Sequence, residues 1–159
     1  MIKKYPLLGL KTIRDRRLQD SMNERISKYK LYEQAQKESQ ARRKEYEDYK
    51  LWKTEEVEKR YSSLMNTTHS LDQIQKFNSG IKQLHMKEFE LEEEIKKAEN
   101  SAVKAHEIYK KAVQAEMLNR KKLQKLETHQ EIWETAERKY EEMQADQELE
   151  DFIPRSRDF

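Results

Sequence analysis

The residues able to carry out catalytic or metal chemistry are few in this sequence and do not cluster. The four histidines, none of which is followed four residues later by another, are His69, His85, His106 and His129. The absence of cysteine excludes thiolate metal sites, and with only 2 glycines there is no glycine-rich phosphate loop. The acidic run 92–94 precedes Lys96 and Lys97, a pattern typical of ion pairs within one helix. The sequence therefore predicts a protein that is not an enzyme and has no cofactor or metal.

A long stripe of apolar residues organises the second half of the chain. Stepping alternately by three and four, it consists of Ile74, Phe77, Ile81, Leu84, Glu88, Leu91, Ile95, Ala98, Ala102, Ala105, Tyr109, Ala112, Glu116, Asn119, Leu123, Leu126, Gln130, Trp133, Glu137 and Tyr140. Of these 20 positions 15 are apolar, against 35% of the whole chain. Such spacing is typical of a coiled-coil seam, and its unbroken period indicates a left-handed supercoil. The stripe predicts a helix over about 71–149, roughly 110 Å long, that needs a partner helix.

A weaker stripe in the first half predicts that partner, a helix over about 7–64. Its members are Leu10, Ile13, Leu18, Met22, Ile26, Tyr29, Tyr32, Ala35, Ser39, Arg42, Tyr46, Tyr49, Trp52, Val57, Tyr61 and Leu64. Residues 65–70 form a short loop, and Ser70 with Gln73 predicts a capping box at the start of the second helix. Because so short a connection joins antiparallel neighbours, we predict one extended all-α domain over 1–159. It is a long antiparallel two-helix coiled-coil hairpin with a C-terminal tail at 150–159.

The position of the loop predicts which residues face each other. Tyr29 and Tyr32 are expected opposite Ala105 and Ala102, so that large side chains meet small ones. The same register leaves the second helix projecting beyond the first from about residue 128. Pairing within one chain favours a monomer, although a dimer through the same seam is an alternative.

Charge and hydropathy exclude several classes of protein. The chain has 33 Lys+Arg against 31 Asp+Glu, and the two signs interleave, which argues against a nucleic-acid partner. No run of 18 apolar residues and no signal-peptide core is present, so we expect a soluble protein without membrane insertion. The mean hydropathy of −1.25 fits an extended coiled coil better than a compact domain.

Several segments resemble a known family. They are Asp48 to Trp52 (Asp-Tyr-Lys-Leu-Trp), Asn66-Thr67-Thr68, the second-helix residues Leu84, Lys87, Glu88, Glu90, Leu91 and Glu92, the start Tyr5-Pro6-Leu7 with Leu10, Ile13, Arg14 and Arg17, and the end Glu150-Asp151-Phe152. Together these segments resemble the central-stalk proteins of bacterial type III secretion injectisomes, called SctO or YscO and related to flagellar FliJ. The resemblance spans most of the chain.

This resemblance implies a location, a set of partners and a role. Members of the family lie in the cytoplasm at the base of the secretion apparatus. Their open end associates with the hexameric secretion ATPase, while the hairpin reaches toward the cytoplasmic domain of the export gate. They also bind export chaperones, and they are not enzymes.

The resemblance also points to candidate contact residues. Phe77 and Ile81 match an apolar pair implicated in touching the export gate, although both would equally fit packing inside the hairpin. Candidate ATPase contacts at the open end are Ile13, Arg14, Arg17, Trp133 and Tyr140. For the basic residues the alternative is solvated charge, and for Trp133 it is packing over Leu7 or Leu8.

Other functions remain as hypotheses beside the stalk. One is an unrelated coiled-coil scaffold or adaptor that dimerises through its seam. Another is an exported effector or an export chaperone, although chaperones of this kind usually contain strands and the sequence has no strand pattern.

Overall fold

Two long helices joined by a short turn make up the computed structural model, which describes residues 3–152. Helix α1 spans Leu8–Met65 (58 residues) and helix α2 spans Leu71–Phe152 (82 residues). No strand occurs within 3–152. The helices pack against each other, which confirms the predicted all-α fold of a two-helix hairpin.

Helix α2 continues three residues beyond its expected end at residue 149. Glu150, Asp151 and Phe152 are helical although the tail was expected to begin at 150. Residues 145–152 contain neither glycine nor proline, so the chain offers no signal that would end the helix earlier. The remainder of the expected tail, 153–159, lies outside the described residues.

The turn between the helices is closed by side-chain hydrogen bonds at both of its ends. The backbone N–H of Ser70 donates to Gln73 Oε1 at 3.1 Å, and the N–H of Gln73 donates to Ser70 Oγ at 3.4 Å. This reciprocal pair is the predicted capping box, which is confirmed. At the end of α1, Thr67 Oγ1 donates to the carbonyl of Ser63 at 3.2 Å.

The chain divides into two compact units, each containing a segment of both helices. One unit comprises Met1–Arg25 with Ala112–Phe159, and the other comprises Ile26–Lys111. Among the described residues of the first unit, Tyr5, Leu18, Ala112, Leu123 and Leu126 are the buried apolar side chains. In the second unit the buried apolar side chains are Leu84, Leu91 and Ile95. In both units the core is therefore a narrow seam rather than a broad hydrophobic interior.

The seam of α2 follows the predicted stripe. Every buried residue of this helix belongs to it, namely Leu84, Leu91, Ile95, Ala112, Glu116, Leu123 and Leu126. The most completely covered are Leu91 and Leu126, which are 3% and 4% exposed. Burial of these side chains supplies the main apolar stabilisation of the hairpin.

The first turns of α1 differ from the prediction. Besides the expected Leu18, which is buried, the side chains that contact α2 there are Lys11, Arg14, Ser21 and Arg25, and these four are partly covered. The expected members Ile13 and Ile26 are instead 50% and 44% exposed. Lys and Arg can occupy such a seam because their aliphatic stems cover the apolar stripe of α2 while their charged ends reach polar groups or water.

The observed register is shifted by about one helical turn from the predicted one. Tyr29 contacts Tyr109 with ring centroids 5.4 Å apart, and Tyr32 contacts His106 at 4.9 Å. Both ring partners lie four residues beyond the expected Ala105 and Ala102, although Tyr32 also lines a groove that includes Ala102. Aromatic residues face aromatic residues instead, an arrangement that aromatic rings favour.

Polar residues of the α2 seam are matched by polar residues of α1. Glu116 forms an ion pair with Arg25, and Asn119 Nδ2 donates to Ser21 Oγ. The remaining pairs are Lys53 with Glu88 and Lys11 with Gln130, the latter at 2.8 Å. A shift of one helix along the other by seven residues would leave Ser21, Arg25 and Lys53 facing apolar residues, so these pairs favour the observed register.

The pair formed by Lys53 and Glu88 changes the titration of its neighbours. The hydrogen bond from Lys53, opposed in part by burial, lowers the pKa of Glu88 below its ordinary value of 4.5. Nearby, Tyr49 donates its hydroxyl to the Leu84 carbonyl at 2.8 Å. Burial, and secondarily the charge of Glu88, raises the pKa of Tyr49. At neutral pH the two shifts favour the ionised carboxylate of Glu88 and the protonated hydroxyl of Tyr49.

Candidate functional site

A groove of about 600 Å³ lies beside the turn, within the unit 26–111. Its lining includes the apolar side chains Leu64 and Phe77 and the basic side chains Lys59, Arg60 and Lys76. We call it the turn groove. It combines an apolar surface with positive charge, a combination suited to binding another protein.

The predicted gate residue Phe77 takes part in packing and also lines the turn groove. Its ring meets that of Tyr61 edge-on, with centroids 5.0 Å apart and planes at 74°. The side chain is nevertheless only partly covered. Ile81, one turn further along α2, is also partly covered. The packing interpretation therefore applies to Phe77, while its lining of the groove leaves part of the side chain available to a partner.

Gly80 makes room for one of the basic groups of the groove. A Cβ atom at this position would lie 3.0 Å from Arg60 Nη1. The Nε of Arg60 donates to Glu56 Oε1 at 3.1 Å, which holds the guanidinium from the other side. The guanidinium of Arg60 thus lies between the Glu56 carboxylate of α1 and the backbone of α2 at Gly80.

Positive charge is concentrated in the sequence around the turn. Residues 59–87 contain five Lys and Arg but a single acidic residue, Asp72, in a chain that is otherwise nearly balanced. Lys59 and Lys76 are exposed, and neither forms an ion pair with another described residue. Sequence reasoning missed this basic surface because it judged charge over the whole chain. A count in a window of about 30 residues would have found it.

The other candidate site lies in the unit formed by 1–25 and 112–159. There an aromatic pair joins the segment before α1 to α2. Trp133 meets Tyr5 edge-on, with ring centroids 5.5 Å apart. The Tyr5 hydroxyl lies 2.5 Å from His129 Nδ1, and the residue is only 5% exposed. Trp133 therefore covers Tyr5, whereas Leu7 and Leu8 remain 38% and 46% exposed. Tyr5 was expected only in an extended lead-in, and its anchoring role was missed.

The other predicted ATPase contacts differ in how far they are available. Ile13 is 50% exposed and Tyr140 is 57% exposed, and Arg17 is also exposed. Arg14, in contrast, is partly covered and its Nη1 donates to the Lys122 carbonyl at 2.9 Å. Ile13, Arg17 and Tyr140 are thus open to a partner, while Arg14 already binds within the hairpin.

The last described turns of α2 form a surface that is both acidic and apolar. Residues 131–152 contain nine acidic and two basic side chains. Ile132, Tyr140 and Met143, which share one helical face with Ala136, are 65%, 57% and 64% exposed. We call this segment the acidic extension. Exposed apolar faces of this kind are typical of interaction surfaces.

Residues 3–152 contain neither a candidate metal site nor a candidate membrane-spanning helix. Within that range no group of three or more His, Asp or Glu side chains is arranged to hold a metal ion. Neither of the described helices has an apolar segment long enough to cross a membrane.

The fold and the two surfaces define a coiled-coil hairpin protein with surfaces suited to binding other proteins. The family model described as type III secretion protein YscO matches residues 6–155. The chain therefore belongs to the YscO family of type III secretion proteins, and its role lies in type III secretion.

A solved structure supports the same fold. CT670 from Chlamydia trachomatis, proposed as a YscO homolog, is similar with a TM-score of 0.78 over 94% of this chain and 91% of that chain. The two sequences are 23% identical, so the likeness concerns the fold. Among curated proteins, no sequence matches this chain.

Proposed function

We propose that this protein is the non-enzymatic central stalk of a type III secretion system, coupling the secretion ATPase hexamer to the export gate. Membership of the YscO family supports the secretion role. The observation that carries the finer proposal is the presence of two chemically different surfaces on one hairpin. The acidic extension and the exposed start of α1 belong to one unit, and the turn groove belongs to the other.

The ATPase binds at the open end in this proposal. Ile13 and Tyr140 offer apolar contacts, and Arg17 offers charge, without being needed for the packing of the hairpin. Trp133 and Arg14 act indirectly, because their contacts with Tyr5 and Lys122 hold α2 against the segment before α1 and against α1 itself.

The export gate binds at the turn. Phe77 and Ile81 lie on the first turns of α2, and the side chain of Phe77 lines the turn groove. Its ring is held in place by Tyr61, so little side-chain entropy is lost when a partner covers it. Contact through Phe77 thus needs no opening of the hairpin.

The working form in this proposal is a monomer in the cytoplasm at the base of the secretion apparatus, where it also binds export chaperones. The support for a monomer is that the seam of α2 is occupied by α1 in each unit. The adaptor alternative requires a dimer, which the mass in solution at micromolar concentration would reveal.

The proposal is tested by measuring ATP hydrolysis by the secretion ATPase of the same organism with and without this protein. A truncated chain that lacks the residues before Leu18 would also lack the buried Tyr5 and would be less stable. Point substitutions therefore test the proposed contacts more directly. We expect the intact chain to stimulate hydrolysis, and Ile13→Asp with Tyr140→Asp to abolish that stimulation.

The matched control replaces Ile108, which is 49% exposed and lies in the other unit, by Asp. Circular dichroism should show all variants equally helical. Stimulation that survives the Ile13 and Tyr140 substitutions would refute the assigned contacts. The absence of any effect of the intact helical monomer would refute the coupling role itself.

A further inference from the structure

We propose that the turn groove binds an acidic peptide segment that carries an apolar anchor side chain. This inference rests on the proposed contact through Phe77, and it names the chemistry of the partner that this contact would recognise. The groove offers such a segment apolar side chains, positive charge and enough room for a few side chains.

The apolar part of the groove lining, which we call the floor, comes from both helices. Leu64 of α1 and Phe77 of α2 line it, and both are only partly covered by the chain itself. Because Tyr61 meets the Phe77 ring edge-on, the ring cannot turn away from the groove without losing that contact. A leucine or phenylalanine of a partner would cover this floor and remove it from water.

The charges around the floor are positive. Lys59 on α1 and Lys76 on α2 border the groove and have no ion-pair partner among the described residues. The one carboxylate in the lining, Glu56, is bound by Arg60 at 3.1 Å and so is largely neutralised. A partner with carboxylates on both sides of its anchor would meet a lysine on each side.

The dimensions favour a peptide over other polyanions. About 600 Å³ falls within the range of pockets that hold a few side chains. A phosphate backbone would match the lysines but would leave the apolar floor in contact with water. A peptide in which acidic residues flank one or two apolar residues satisfies both features.

The probe for the test is a fluorescein-labelled peptide, Glu-Asp-Glu-Leu-Glu-Asp-Phe-Glu-Asp-Glu, whose binding to the full chain is followed by fluorescence anisotropy. We expect saturable binding that weakens with added salt. Replacing the acidic residues of the probe by their amides, or its Leu and Phe by Ala, should each weaken binding at least about tenfold, or about 1.4 kcal/mol.

The decisive variant is Lys59→Glu/Lys76→Glu, which reverses both border charges. Its matched control is Lys104→Glu/Lys111→Glu, because these two lysines are exposed in the same unit and the change in net charge is equal. Neither pair lies in the seam, so both variants should fold. We expect the groove variant to lose at least about tenfold in affinity and the control less than about threefold.

Three results would overturn the inference. They are no binding at about 1 mM probe, equal losses in the two charge variants, and binding that is displaced equally well by single-stranded RNA or by anionic vesicles at the same charge concentration. The last result would mark the groove as a general polyanion surface.

A parallel measurement separates this inference from the gate contact on which it rests. The cytoplasmic domain of the export gate is titrated with the same set of variants. Binding of the gate without binding of the probe would refute the acidic-peptide chemistry and leave the gate contact standing. Binding of the probe without binding of the gate would refute the gate contact and leave the groove a peptide site.

Discussion

The two helices contribute to one interface in different ways. In α2 the seam is built from Leu, Ile and Ala, with a few polar residues at regular steps. In the first turns of α1 the seam contains Lys, Arg and Ser around the buried Leu18, whereas Ile13 and Ile26 are exposed. The difference shows that a coiled-coil partner need not be apolar itself when long aliphatic stems can cover the stripe of the other helix.

The largest effect should come from interrupting the apolar helix. Leu91 is 3% exposed and lies within α2. We expect Leu91→Pro to destabilise the hairpin by about 3 kcal/mol or more, because proline removes a backbone hydrogen bond and clashes with the preceding turn. Circular dichroism should show a loss of helix, and full retention of the signal would contradict a continuous α2.

The next effect contrasts an apolar residue in the seam of α2 with one outside the seam of α1. We expect Leu126→Ala to cost about 2–3 kcal/mol in free energy of unfolding, since this side chain is 4% exposed. Ile13→Ala should cost less than about 0.5 kcal/mol, because Ile13 is half exposed. Urea unfolding of both variants measures the difference. Equal losses would mean that α1 uses its apolar stripe after all.

A smaller effect tests the polar layers of the seam. Glu116 is 8% exposed and bonds to Arg25 and Arg120. Glu116→Ala should cost about 1–2 kcal/mol, since it leaves Arg25 partly covered without its carboxylate. The control is Glu33→Ala, which removes an exposed pair with Lys37 and should change stability by less than about 0.5 kcal/mol. A loss no greater than in this control would show that the layer contributes little.

The capping box provides a test outside the seam. Ser70→Ala removes the acceptor for the backbone N–H of Gln73, and we expect a loss of about 1 kcal/mol. Thermal unfolding monitored by circular dichroism measures it. Ser70→Asp, which retains an acceptor, should preserve stability, and failure of that rescue would count against a capping role.

The smallest effect is a pH dependence at Glu88. Because its pKa is lowered in the folded chain, the ionised carboxylate adds stability at pH above 4.5, and this stability is lost as the pH falls through the folded pKa. At pH 7, Glu88→Gln should therefore lower the free energy of unfolding by less than about 1 kcal/mol. Its melting temperature should accordingly be lower than that of the natural chain. The two melting temperatures should converge only once the pH has fallen below the folded pKa, which is lower than 4.5. A difference that persists there would point to packing rather than charge.

The sequence predicted the fold and the α2 seam because a seven-residue apolar period has few other structural solutions. It predicted the turn because Ser70 and Gln73 form a local motif. The start of α1 was predicted wrongly since apolar character was taken as the sign of the seam, whereas Lys11 and Arg25 face α2 there.

The candidate sites were predicted less completely than the fold. The sequence indicated Phe77 and the open end, but neither the burial of Tyr5 nor the pairing of Arg14 could be read from spacing, because both depend on the exact register of distant segments. The register itself was displaced by four residues at Tyr29 and Tyr32, since the predicted turn at 65–70 does not determine the register to within one helical turn.

The charged pairs of the seam also constrain how the length of this protein can change. Arg25 and Lys53 are 28 residues apart on α1, and their partners Glu116 and Glu88 are 28 residues apart on α2, which is four heptads on each helix. Seven residues added to one helix alone would place Lys53 opposite Ile81 or Ile95 instead of its carboxylate. Matched insertions in both helices would keep every pair. Between these two pairs, a change in length therefore keeps both pairs when whole heptads are gained or lost in both helices together.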